Sequence, residues 1–232
     1  MSLKDFKVLS FDVVGTLIDF EQGFLNYLHQ VAPGTQTDDE DFLVAYRNSR
    51  ASDQSIWYPD DLERVWLDIA PQLGLPCSPA LAMGFRDSVQ YWPAFSDSVE
   101  ALKRLSKHFK LVAMTNTQRW AYAHFDQTLG SPFDDTVTCD DALCEKPDEK
   151  FFAFTRGRLS TRGYQQQDNL HVAQSQYHDI SVAHSLGLQT CWIERRHNQS
   201  GFGATLSVEK ITQPDYHFFT LAQLADAVEA DK

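Results

Sequence analysis

Four places in the chain carry side chains able to do chemistry. Asp12 ends the apolar run Phe6-Lys7-Val8-Leu9-Ser10-Phe11 and is followed by Val13-Val14-Gly15-Thr16. Thr115-Asn116 follows Lys110-Leu111-Val112-Ala113-Met114, Lys146 stands directly before Pro147, and Ser175 and Asp179 follow Leu170-His171-Val172-Ala173. An aspartate has an unperturbed pKa of about 3.9, so it is ionised at neutral pH and can act as a nucleophile. A lysine supplies its counter-charge, and loop hydroxyls and amides can hold an anionic substrate. Each group also has an ordinary structural explanation. Asp12 and Asp179 can cap a turn or helix, Thr115-Asn116 and Ser175 suit loop hydrogen bonding, and a single lysine is usually surface charge.

The elements around these groups explain how they can meet. Short runs rich in strand-forming residues, ending abruptly at polar residues, predict strands at Phe6–Phe11, Lys110–Met114, Thr136–Thr138, Leu170–Ala173, Gln189–Ile193 and Tyr216–Phe219. Helical spacing of apolar residues predicts helices before or after each strand from Asp97 onward. Strands alternating with helices make an α/β fold with a doubly wound, parallel, Rossmann-like sheet. In such a sheet the loops leaving the strands' carboxyl ends gather in one crevice, whatever their distance in sequence.

Residues 20–93 break the alternation. Phe20, Phe24, Tyr27, Leu28 and Val31 predict a helix closed by Pro33-Gly34. Asp38-Asp39-Glu40 opens a second, Pro59-Asp60-Asp61 a third, and a fourth runs from Ser78 to Tyr91. This all-helical block enters just after the first strand, at the sheet's ligand-binding edge, so it reads as a cap domain. The division is a core of residues 1–19 and 94–232 with a cap of residues 20–93. Trp57, Trp66 and Trp92 on the cap suit an apolar pocket, although aromatics at helical spacing more often build core.

Composition narrows the partners. With 232 residues and 43% hydrophobic content, the chain can bury a substantial core. A net charge of −12 argues against nucleic acid or an anionic membrane, because both demand a basic face. Against that background, a small anionic substrate needs a local cationic site. Cys77, Cys139, Cys144 and Cys191 show no metal-binding spacing and suit reduced thiols in the cytoplasm. Neither a signal sequence nor a membrane-spanning run is recognisable.

The ordered set Asp12, Thr115, Lys146 and Asp179, with the helical insertion between the first two, resembles the haloacid dehalogenase superfamily across nearly the whole chain. The resemblance implies that Asp12 is the nucleophile, Lys146 its counter-charge, and Asp179 a group that orients Lys146 or the hydrolytic water. Thr115, Asn116, Val13, Val14 and Ser175 would contact the substrate. In the superfamily's phosphatases and mutases the motif is Asp-x-Asp, and the second acid protonates the leaving alcohol. Here that position is Val14, which cannot transfer a proton, and general acid catalysis of this kind contributes roughly 10²–10⁴ in rate. A halide leaves without a proton, so the pattern is similar to the L-2-haloacid dehalogenases, which also lack the second acid.

That resemblance implies hydrolysis of small 2-haloacids through an aspartyl ester, with no metal or other cofactor. It also implies a cap arginine for the halide. Tyr46-Arg47 matches best, with Arg50 a rival one turn further on. Related dehalogenases are often dimers, so a homodimer is compatible with the pattern. Several residues depart from it: Val14 replaces the usual Tyr, Phe152 stands where a Tyr follows the Lys-Pro motif, and Gln174, Gln176 and His178 replace Ser, Asn and Trp. Two other readings stay open. One is a divergent Mg²⁺-dependent phosphatase in which only Asp12 and Asp179 are evident carboxylates for the metal. The other is a catalytically idle member that binds an anion or a protein partner.

Overall fold

The computed structural model describes residues 2–53 and 55–231. Six strands, β1 (Val8–Phe11), β2 (Lys110–Met114), β3 (Asp135–Val137), β4 (Asn169–Ala173), β5 (Gln189–Ile193) and β6 (Tyr216–Phe218), form one sheet. Their order is β3-β2-β1-β4-β5-β6 and every neighbouring pair is parallel. This is the doubly wound arrangement, and the order reverses between β1 and β4, where such sheets open their crevice. Asp12 follows β1, and Gln174 and Ser175 follow β4.

All four residues of β1 are buried, as befits a central parallel strand covered on both faces. Leaving it, the chain turns sharply: Gly15 has φ +90°, its amide donates to the Ile18 carbonyl at 2.8 Å, and the Leu17 amide donates to the Val13 carbonyl at 2.8 Å. A side chain at Gly15 would strain that left-handed backbone. The turn sends the chain into four consecutive helices, α1 (Phe20–Val31), α2 (Asp39–Ser52), α3 (Asp61–Gln72) and α4 (Pro79–Asp87). Asp19, Asp38 and Ser78 cap α1, α2 and α4 with their side chains. The predicted fourth helix is shorter than expected, because its last turn, Ser88–Tyr91, tightens into a 3₁₀ turn before Trp92-Pro93.

Six further helices, α5 (Ser98–Leu105), α6 (Arg119–Leu129), α7 (Cys139–Ala142), α8 (Glu149–Thr161), α9 (Ser181–Ser185) and α10 (Leu221–Ala230), accompany the remaining strands. The four-residue α7 escaped the sequence reading, being too short to show a period. Among the described residues, no helix is long and apolar enough to cross a membrane.

Aromatic packing joins the helical block to the sheet. Phe24 meets Tyr46, Phe85 and Trp92 at centroid distances of 4.5, 5.0 and 5.1 Å, and Trp66 meets Phe85 at 5.2 Å. Trp92 also stacks on Phe125 of α6 at 5.7 Å, so one apolar cluster runs through both parts of the chain. Trp66 and Trp92 are therefore core residues, as their spacing favoured.

This packing makes one helical glycine indispensable. A Cβ on Gly23 in α1 would overlap the Trp92 indole. An interior Gly→Ala change in a helix ordinarily stabilises by about 1 kcal/mol. Gly23→Ala is expected to do the opposite and destabilise by about 1–3 kcal/mol through overpacking, as measured by urea unfolding.

Candidate active site

Four strand-end loops converge on the Lys146 ammonium, which is 1% exposed. Its Nζ donates to Asp12 Oδ1 at 2.9 Å, to Asp179 Oδ1 at 2.7 Å and to the Met114 carbonyl at 2.8 Å. All three of its protons are thus used, and a buried charge needs such partners to be tolerable. Asp12 Oδ2 accepts from the Thr16 hydroxyl at 2.7 Å, and Thr16 Oγ1 in turn accepts from the Gln174 amide at 2.8 Å. Neither Asp12 nor Asp179 caps a helix; both side chains point inward to Lys146.

The loop residues play separate parts. Asn116 clamps the backbone of Lys146, accepting from its amide at 2.6 Å and donating to its carbonyl at 2.8 Å. The Asn116 side chain therefore positions Lys146. Thr115 is buried in the cavity wall, with its hydroxyl paired to Thr117 at 2.9 Å. Ser175 caps the turn Gln176–Ile180, accepting from the His178 amide at 2.9 Å. That turn closes with π-type hydrogen bonds, and it carries Asp179 to Lys146.

A cavity of about 80 Å³ opens over this cluster. Asp12, Val14, Thr115, Asn116, Lys146, Ser175, His178 and Asp179 line it from the sheet side; Tyr46, Arg50 and Tyr58 line it from the cap. Val13 does not: its side chain is fully buried in the apolar core, leaving only its backbone at the turn. Arg47 lies outside the cavity lining as well, donating to the Gly203 carbonyl at 2.7 Å. The reason is helical phase. Arg50 is four residues after Tyr46 and shares its inward face, whereas Arg47, adjacent to Tyr46, is rotated away by about 100°.

Arg50 is itself held by Asp61 at 2.8 Å and Glu145 at 3.4 Å, and Glu145 also accepts from the Tyr58 amide at 2.6 Å. The Tyr58 hydroxyl is buried and has no partner among the described residues. Tyr46, named from the sequence as the aromatic before Arg47, lines the cavity, whereas Tyr58 and the β5–β6 residues Ala204, Thr205 and Leu206 were not singled out from the sequence. The loop residues carry no local signal.

Burial and charge set the protonation states. Burial raises the Asp12 carboxyl above its ordinary value, opposed by Lys146 and Thr16. Burial acts the same way on Asp179, but Lys146 and a hydrogen bond from His171 outweigh it and hold Asp179 down at about 2. For Lys146, burial pulls downward, yet the two carboxylates raise it above the ordinary lysine value. Asp179 therefore stands as a carboxylate and Lys146 as an ammonium at neutral pH, and the hydrogen bonds from Lys146 and Thr16 favour the carboxylate form of Asp12 against its burial. Burial pushes His178 down to about 4, so its imidazole is neutral there.

The fold is similar to that of solved haloacid dehalogenase and HAD-hydrolase structures. An L-2-haloacid dehalogenase from Xanthobacter autotrophicus superposes with a TM-score of 0.76 at 18% identity, covering 98% of this chain and 100% of that one. The same enzyme with chloropropionic acid covalently bound gives 0.71 at 17% identity, with 97% and 98% covered. YfnB of Bacillus subtilis, described as a HAD-hydrolase bound to magnesium, gives 0.76 at 19% identity, with 96% and 98% covered. No protein-family model and no curated protein matches the sequence.

The magnesium in YfnB prompts a test of fit. Mg²⁺ demands near-octahedral oxygen ligands. Among the described residues no group of three or more His, Cys, Asp or Glu side chains gathers for a metal. Among the described residues the carboxylates lining the cavity are Asp12 and Asp179, and the Lys146 ammonium holds an oxygen of each. This donor set does not fit Mg²⁺.

The charge states have a direct readout. In an NMR titration His178 is expected to stay neutral until about pH 4. Asp12 is expected to titrate above 3.8, so any activity that needs its carboxylate falls as pH drops through that raised value.

Proposed function

We propose that the chain is a hydrolase that dehalogenates small 2-haloacids through a covalent ester on Asp12. The observation that carries this reading is Val14: it lines the cavity beside Asp12, where a phosphatase of this fold would need a proton donor. A leaving halide needs none. The small cavity suits a substrate of a few heavy atoms, far below the roughly 300–1,000 Å³ of drug-sized sites.

In the first step an Asp12 carboxylate oxygen attacks the halogen-bearing carbon. A carbon–oxygen bond forms, the carbon–halogen bond breaks, and the halide leaves with the bonding pair. Asp12 is a weak nucleophile, so positioning and exclusion of water must supply the acceleration. The substrate carboxylate is held at Thr115, the Asn116 backbone and Ser175. The halide is received by Arg50 and by the Tyr58 hydroxyl, whose pKa burial raises well above the ordinary value, so that it stays a donor.

In the second step water attacks the Asp12 carbonyl carbon, and the Lys146 ammonium steadies the negative charge that develops on the carbonyl oxygen. The neutral His178 imidazole takes a proton from the water. The bond from the Asp12 carbon to the substrate oxygen breaks, and the 2-hydroxy acid leaves carrying that proton. Asp12 is regenerated as a carboxylate, its remaining proton passing to solvent.

Purified protein is expected to release halide from chloro- or bromoacetate or L-2-chloropropionate, undiminished by EDTA, and Asp12→Asn to release none. Aryl phosphate turnover abolished by chelator, with no halide release, would favour the phosphatase reading instead. Tyr58→Phe removes a hydroxyl that has no partner among the described residues. It is expected to leave the unfolding midpoint unchanged and to slow halide release roughly 10- to 100-fold, the loss of one hydrogen bond to an anion.

A further inference from the structure

A buried polar chain runs through the sheet behind the cavity, and the reaction above leaves it without a role. Ser10 of β1 and His171 of β4 are register partners, and Asn169 lies two residues before His171 on the same face. Asn169 Nδ2 donates to Ser10 Oγ at 3.0 Å, Ser10 Oγ lies 3.0 Å from His171 Nδ1, and His171 Nε2 lies 2.9 Å from Asp179 Oδ1. All three side chains are at most 3% exposed, and none lines the active-site cavity. Polar groups in the middle of a parallel sheet cost stability unless they find partners, and Asn169 Oδ1 has none among the described residues, so a polar chain kept at this position calls for an explanation.

The donor directions run one way. An ionised Asp179 can only accept, so Nε2 of His171 carries the hydrogen. Nδ1 is then left to accept from the Ser10 hydroxyl, whose oxygen accepts from the Asn169 amide. The chain thereby selects the tautomer that donates to Asp179. Asp179 Oδ1 receives His171 on one side and Lys146 on the other, while Oδ2 is buried with no partner among the described residues. The two bonds on Oδ1 make Asp179 an anchor for Lys146.

That anchor matters most in the middle of the reaction. Once Asp12 is esterified its negative charge is gone, and among the described residues Asp179 is the one carboxylate left against the Lys146 ammonium. We infer that His171 is a positioning residue for the second half-reaction: with Ser10 and Asn169 behind it, it keeps Asp179 anionic and fixed, so that Lys146 stays aimed at the ester carbonyl. His171 touches neither substrate nor the reacting atoms and acts through Asp179. The inference rests on the haloacid reading for its kinetic consequence, but not for the tautomer it requires.

Two measurements test it. In the wild-type protein, ¹⁵N-imidazole NMR should show His171 protonated at Nε2, and Ser10→Ala should shift it toward the Nδ1–H form. A wild-type Nδ1–H tautomer overturns the inference, whether or not any haloacid is turned over. With haloacid, His171→Phe should still form the Asp12 ester in a single-turnover burst, which also proves the site is folded. It should hydrolyse that ester roughly 10²-fold more slowly, the size of effect expected for a misplaced group, so that the ester accumulates in intact-mass spectra. His171→Gln, whose amide can donate to Asp179, should recover much of the rate, and Ser10→Ala should lie between. Equal slowing of ester formation and hydrolysis, or no recovery in His171→Gln, overturns the positioning role. A wild type that forms no ester with any haloacid instead removes the dehalogenase reading, and the NMR result still decides the tautomer.

Discussion

The site depends on a single buried ammonium shared between two carboxylates. Removing a lysine from water costs several kcal/mol, and the same holds for each aspartate. Those penalties are offset only if the three groups meet at hydrogen-bond distance, as they do at 2.9 and 2.7 Å. Lys146 precedes α8, Asp12 follows β1, Asp179 follows β4 and the Met114 carbonyl ends β2. The arrangement therefore holds only while the central strands keep their order and register. A strand slip would leave a charge buried without its partner, so the polar cluster and the sheet specify each other.

The same logic extends into the helical block. Arg50 lies within the cap yet reaches Glu145, the residue immediately before Lys146, and Asp61 is shared between Arg50 and Arg64. Glu145 binds the Tyr58 amide as well, so the cap is tied to the loop that carries Lys146. On the opposite side, the β5–β6 connection fastens to the cap through Arg196 with Glu21 and Glu40, and through the Ala204 amide with Glu21 at 2.8 Å. The cavity is small because three separate segments close over it.

Much of this was legible in the sequence because it follows local rules. Apolar runs ending at polar residues marked the strands, helical spacing marked the cap, and the order of Asp12, Thr115, Lys146 and Asp179 identified the loops that would meet. Arg47 was the residue chosen for the cap, and the structure puts Arg50 at the cavity instead, because helical phase relative to the core decides which of two arginines faces inward. Asn116 looked like a substrate contact and proves to hold the Lys146 backbone with its side chain. His171 looked like one more residue in a buried strand.

The amino-acid sequence by itself determined the element types, the parallel sheet and the set of chemical groups, since these depend on periodicity and on residue type at strand ends. Only the tertiary structure decided which oxygen of each carboxylate meets Lys146, that His171 backs Asp179, and that residues 204–206 complete the cavity wall. Those are contacts between segments far apart in the chain. Their geometry is set by packing and by the pairing of buried charges, and no local pattern encodes it.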